Sequence, residues 1–138
     1  MAAAPDLAGP LRIARQRGTI LLATASSEGM PHLTAVASLE EVGPSTLQAT
    51  GWFCPRAVAN VDRNPRVALL VLDAGGDGFQ LAGKVVSAEQ LAMLDGYDPE
   101  LEGAEPVPQV QWSFQVAIGE VLAYSDRAHA DAPVEAGK

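Results

Sequence analysis

Gly51-Trp52-Phe53-Cys54-Pro55-Arg56-Ala57-Val58-Ala59-Asn60-Val61-Asp62-Arg63-Asn64-Pro65-Arg66 reads as a loop, a short helix and a stop set between two strands. Pro55 suits the first helical position, where its missing N–H costs nothing. Asn64-Pro65 ends the run, because the residue before a proline is pushed out of the helical region. The unpaired N–H groups of the first turn then lie beside Arg56, which favours a phosphate there.

Upstream, residues 11–17 suit a short helix with Leu11, Ile13 and Ala14 as its apolar contacts, broken by Gly18. Thr19-Ile20-Leu21-Leu22-Ala23-Thr24-Ala25 and residues 31–39 read as two strands of a hairpin around Ser26-Ser27-Glu28-Gly29. A turn at Val42-Gly43-Pro44-Ser45 leads to a third strand, Thr46-Leu47-Gln48-Ala49-Thr50, which delivers the chain to the central loop and helix.

Downstream, Arg66-Val67-Ala68-Leu69-Leu70-Val71-Leu72 is nearly continuous in apolar side chains, as expected of a strand covered on both faces. Ala74-Gly75-Gly76-Asp77-Gly78 is a hairpin signal, and residues 79–86 return as a fifth strand in which Gly83 marks a bulge or bend. Residues 88–94 have the composition of a short helix, 98–108 form an acidic, proline-bearing loop, 110–124 a long last strand and 125–138 a frayed tail. Six strands, two or three short helices and no βαβ alternation predict a mainly β protein, a small antiparallel barrel closed by coiling of the sheet.

Composition sets the outer limits. A chain of 138 residues with 48% hydrophobic content is the size of one domain, 1–138, with an ordered core over about 11–125. With 9 Lys+Arg against 17 Asp+Glu, the net charge of -8 disfavours nucleic acid and acidic membrane surfaces, which need a basic footprint. No Lys or Arg occurs between Lys84 and Arg127, while Glu89, Asp95, Asp98, Glu100, Glu102 and Glu105 crowd that segment, so a small anionic ligand is expected in the first two thirds of the chain. One cysteine excludes an intrachain disulfide, and His32 and His129 are too few and too far apart for a zinc-type cluster. The start of the chain has no basic, apolar signal pattern and no run approaches a bilayer span, so a cytoplasmic protein is expected.

The chain resembles the FMN-binding split-barrel proteins related to pyridoxamine 5'-phosphate oxidase, and most of all their small FMN-binding members. The resemblance runs from about Leu11 to Tyr124. It is carried by Ile20-Leu21-Leu22-Ala23-Thr24 with the turn at Glu28-Gly29, by Pro31-His32-Leu33-Thr34, by Arg56 to Val67, by the strand from Gly78-Phe79 to Gly83 and by Gln111-Trp112. It implies a six-stranded antiparallel split barrel and a homodimer with FMN in a groove at the interface. It further implies that Thr34, Ala35 and Val36 lie along the flavin, and that Ala49, Thr50, Gly51 and Trp52 line the ring and ribityl chain. Arg56 would take the phosphate, and Trp112 would stand near the isoalloxazine, on the same or the partner's flavin. Ala57 occupies a position where such proteins often place a hydroxyl beside the phosphate, and Ala37 one where small members can carry an aromatic.

Each residue also has a plainer reading. Arg56 alone would be an ordinary surface arginine, and only its flanking pattern makes it a phosphate ligand. Arg63 and Arg66 are accounted for by a solvated helix end, and Asn60, inside the helix, by a bond to a neighbouring loop. Trp52 and Trp112 serve equally as core or as cofactor platform. His32 reads as a polar group opening a strand, and Cys54 has no resolving partner for redox chemistry. No acid–base pair or activated nucleophile is visible, so no catalytic residue is assigned and the chemistry falls to the flavin. The expected function is an FMN flavoprotein in electron transfer or a small flavin-dependent oxidoreductase, served by a redox partner protein or a nicotinamide donor. Two alternatives stand beside it: a deazaflavin-dependent reductase of the same fold, whose long acidic tail would want a wider basic track, and a non-enzymatic flavin-binding or sensing module.

Overall fold

The computed structural model describes residues 4–96, 107–125 and 133–134. In chain order the elements are helix α1 (Ala8–Arg15), strands β1 (Thr19–Ala25), β2 (Pro31–Ala35), β3 (Ser38–Gly43) and β4 (Thr46–Gly51), helix α2 (Pro55–Arg63), and strands β5 (Arg66–Leu72), β6 (Gly78–Gly96) and β7 (Val107–Tyr124). The strands form one antiparallel sheet in the order β2-β1-β5-β6-β7-β4-β3.

That order forces the sheet to roll up. β2 and β3 are its two outer strands, yet only Val36 and Ala37 separate them in the chain, so opposite edges of the sheet meet at a corner. The corner is fastened on both sides: the Val36 amide donates to Ile20 O on β1 (3.0 Å), and the Ala37 amide to Thr50 O on β4 (2.9 Å). Away from it, among the described residues, the two edges carry no strand partner, which makes this a split barrel.

The interior follows the period of two that strand geometry imposes. Ile20, Leu22 and Thr24 point inward from β1, and Val67, Leu69 and Val71 from β5. Leu47 and Ala49 of β4, Leu81 of β6 and Phe114, Val116 and Ile118 of β7 complete the core. The alternate β5 residues Ala68, Leu70 and Leu72 are half-buried, so the expected cover on the outer face is partial. Helix α1 closes one part of the barrel with Pro10, Leu11 and Ile13 buried, and α2 lies against β1 and β2 with Ala57, Asn60 and Val61 buried.

The structure departs from the sequence expectations in four places. There are seven strands, because residues 31–39 break at the corner into β2 and β3, so four strands rather than three precede α2. Residues 88–94 are not a helix: β6 runs on to Gly96, pairing Ala88 with Phe114, Glu89 with Ser113 and Gln90 with Trp112 of β7. The first helix begins at Ala8 and the last strand at Val107, so Val107 and Pro108, expected in the acidic loop, belong to β7. Gly83 sits at a register shift as expected, and a Cβ there would fall 2.2 Å from Ala117 O. The rest of the acidic loop lies outside the described residues. So does most of the expected tail, of which Pro133 pairs with Leu122 and the Val134 amide donates to Val121 O (2.7 Å).

Candidate functional site

Helix α2 is placed by its two ends. Cys54, in extended conformation, is its N-cap and supplies no side-chain cap bond; Pro55 follows, and the extended Asn64 stops the helix before Pro65. The Ala57 and Val58 amides turn back to Cys54 O (2.9 and 3.3 Å). With Pro55 lacking an N–H and these two amides engaged, the Arg56 amide is the first-turn donor left over, fewer than the sequence suggested, and it stands at the positive end of the helix dipole with no side-chain cap from Cys54. Arg56 is exposed on that turn, so a guanidinium and an uncapped helix start are presented together to solvent.

The structure brings most of the residues picked out from the sequence to the barrel corner. Thr34, buried in β2, has its Oγ1 3.9 Å from Cys54 Sγ, which joins β2 to the start of α2. Ala35 is exposed on the outer face, and Val36 is buried at the corner with its amide engaged by Ile20. Thr50 is half-buried and binds Ala37 through its carbonyl; Gly51 is buried and pairs with Trp112 of β7. Trp52 is 43% exposed just beyond, and Trp112 is half-buried, tilted against Phe114 with ring centroids 6.3 Å apart.

Ala49 and Ala57 stand apart from this group, since both side chains are 0% exposed and belong to the core. Arg63 and Arg66 are exposed at the far end of α2. With a rise of about 1.5 Å per residue, Arg63 lies roughly 10 Å along the axis from Arg56.

Three features support this corner, and of them only the structural bond of Asn60 is foreshadowed in the sequence. Phe53 and Phe114 stack with centroids 4.7 Å apart beneath the corner, and a Cβ on Gly51 would meet the Phe53 ring at 2.8 Å. The glycine-spaced aromatic Gly51-Trp52-Phe53 was the available signal for it. Asn60, 8% exposed on the buried face of α2, donates from Nδ2 to Thr24 Oγ1 on β1 (3.1 Å), so its structural reading holds with a strand rather than a loop as partner. Beside this bond His32 faces Thr24 in register across β1 and β2, with its Nδ1 buried and unpartnered.

The chemistry open to this set is binding. An exposed arginine with its own backbone amide at the positive end of a helix fits a phosphate, with charge-assisted hydrogen bonds as the strong term. β2, at a sheet edge among the described residues, leaves alternate backbone N–H and C=O groups without a strand partner there, which fits a polar planar ring edge. Trp52 and Trp112 supply aromatic surface on either side of Gly51.

The family model for pyridoxamine 5'-phosphate oxidase matches residues 12–117. No curated protein matches the sequence. Among solved structures, a pyridoxamine 5'-phosphate oxidase-related, FMN-binding protein from Nostoc punctiforme is similar over 89% of this chain and 83% of its own, with TM-score 0.54 and 13% identity. An F420 reductase is similar over 80% of this chain and 93% of its own, with TM-score 0.53 and 19% identity. HutZ, the heme storage protein from Vibrio cholerae, is similar over 81% of this chain and 89% of its own, with TM-score 0.52 and 12% identity. At these identities the likeness is one of fold, and the three names carry three different cofactors. The cofactor has to be argued from the residues at the corner.

Proposed function

This chain belongs to the pyridoxamine 5'-phosphate oxidase family, and we propose that it binds FMN at the barrel corner and acts in electron transfer, as a carrier or as a small flavin-dependent oxidoreductase. The observation that carries the reading is Arg56, exposed on the uncapped first turn of α2 and tied to the open edge strand β2 by the contact of Cys54 with Thr34. On this reading Arg56 and the first turn hold the phosphate. The ring lies along Thr34, Ala35 and Val36 and the end of β4 from Thr50 to Trp52, with Trp112 beside it; Ala49 and Ala57 back this surface from the core.

Bound FMN supplies one- and two-electron redox chemistry, and the chain binds it, orients it and limits its contact with water. A homodimer with flavin at the interface is part of the proposal. Met30 and Leu33, 66% and 64% exposed at and just before the edge strand β2, support it as apolar surface that a second copy would cover. The electron donor would be a redox protein or a nicotinamide, in the cytoplasm. Among the described residues no helix is long and apolar enough to cross a membrane.

A deazaflavin fits less well. Its long acidic tail would need cations continuous with Arg56, and Arg63 and Arg66 stand at the other end of α2. The deciding experiment is the absorbance spectrum of the purified protein, followed by FMN titration of the stripped form. Flavin bands and saturable uptake support the reading. A colourless protein that takes up no FMN sinks it, and uptake of deazaflavin or heme in its place assigns the corner to that cofactor. Turnover with a nicotinamide donor then separates an enzyme from a storage or sensing module.

A further inference from the structure

We infer that Asn60 is a positioning residue: through its bond to Thr24 it seats α2 on β1 and so sets where Arg56 meets the phosphate. The inference rests on the FMN reading above.

A carboxamide in the buried face of a short helix, between Ala57 and Val61, costs free energy unless its polar atoms are satisfied. Here Nδ2 donates to Thr24 Oγ1 at 3.1 Å, and the two side chains are 8% and 3% exposed. One turn later, Asn64 Nδ2 donates to Ser26 O (3.4 Å), while its Oδ1 accepts from the Arg66 amide (3.2 Å). The helix is therefore attached at two points to the end of β1 and the residue just after it, at Thr24 and Ser26, the first of them buried. Apolar contacts of Ala57 and Val61 alone would resist lifting of α2 but not its sliding or rotation, because hydrophobic contact has no direction. A hydrogen bond at fixed length has one. Arg56 stands four residues before Asn60, about 6 Å along the axis, and shares its rigid helix. Whatever fixes Asn60 fixes Arg56.

The test uses Thr24→Val, which keeps the shape of the side chain and removes the acceptor, and Thr24→Ser, which keeps the hydroxyl. Stripped wild-type and variant proteins are titrated with FMN and with riboflavin, which lacks the phosphate. Thr24→Val is expected to weaken FMN roughly fivefold to tenfold and to leave riboflavin unchanged. Thr24→Ser should bind both as wild type does. In an Arg56→Ala background, Thr24→Val should cost FMN nothing further. Equal weakening of FMN and riboflavin, unchanged FMN affinity, or full additivity with Arg56→Ala overturns the inference.

A second measurement needs no cofactor. Amide exchange in the ligand-free Thr24→Val protein should quicken over residues 60–64 and stay unchanged in β5 and β6; unchanged exchange in α2 also overturns it. If the wild-type protein takes up no FMN, the flavin reading falls, while the exchange experiment still decides whether Asn60 seats the helix.

Discussion

The two helices lie on the same barrel and are held in different ways. Helix α1 presents Pro10, Leu11 and Ile13 to the core, and Gly9 sits so close to Phe79 that a Cβ would fall 2.5 Å from the ring. Helix α2 buries Ala57 and Val61 but puts Asn60 between them, bonded to Thr24. Apolar contact keeps a helix down; a directional bond also keeps it from slipping. The helix with the directional bond is the one whose N-terminal turn carries Arg56.

The largest expected effect lies in α1. Leu11, 6% exposed, should cost about 2–5 kcal/mol of stability when cut to alanine, read by denaturant unfolding, with FMN affinity of the folded fraction unaltered. A matching loss of affinity would mean that α1 too shapes the site. Arg56→Ala is the reverse case: FMN should weaken by about 1.5–3 kcal/mol, tenfold to a hundredfold, with the thermal midpoint unmoved. Unchanged affinity in a fluorescence titration removes Arg56 from the site.

Gly9→Ala sharpens the contrast by asking α1 to give way. Its methyl must displace Phe79 or lift the helix, at about 1–3 kcal/mol, again seen in unfolding and not in FMN binding. The smallest effect is at Cys54. Serine there would cap α2 and add about 0.5–2 kcal/mol to stability, while its oxygen competes with the phosphate for the Arg56 amide and the positive end of the helix. A rise in thermal midpoint with a fall in FMN affinity is the expected pair of readings, and a rise in both would show that the ligand does not use those groups.

What the sequence disclosed followed from how local each signal was. α2 was legible from Pro55 and Asn64-Pro65, and β1 and β5 from their apolar runs, because sterics and periodicity act within a few residues. The corner leaves only a trace in the sequence. Thr34 and Val36 point inward on even positions and Leu39 on an odd one, a change of parity that a strand makes only at a bulge or a break. Residues 88–94 misled for another reason. Ala88-Glu89-Gln90-Leu91-Ala92-Met93-Leu94 is rich in helix formers, and pairing with a distant strand overrode that preference. Arg56, the proposed phosphate ligand, is marked by its neighbours in sequence. Thr24, the acceptor that holds its helix, lies 36 positions from Asn60, and nothing local pairs them.

The corner at Val36 and Ala37 also bears on how the chain assembles. The hairpins β1–β2 and β3–β4 are local, and so are β5–β6 and β6–β7, whereas β1–β5 and β4–β7 join segments far apart in the chain. Because the first two hairpins share the corner, they form one bent four-stranded piece whose free strands, β1 and β4, await the β5–β6–β7 unit. If that unit docks as a whole, both long-range seams close together and most of the loop-closure entropy falls in a single step rather than two. Cutting the chain between Val36 and Ala37 and rejoining its ends would separate the seams, and barrel closure would lose its cooperativity before it lost its final shape.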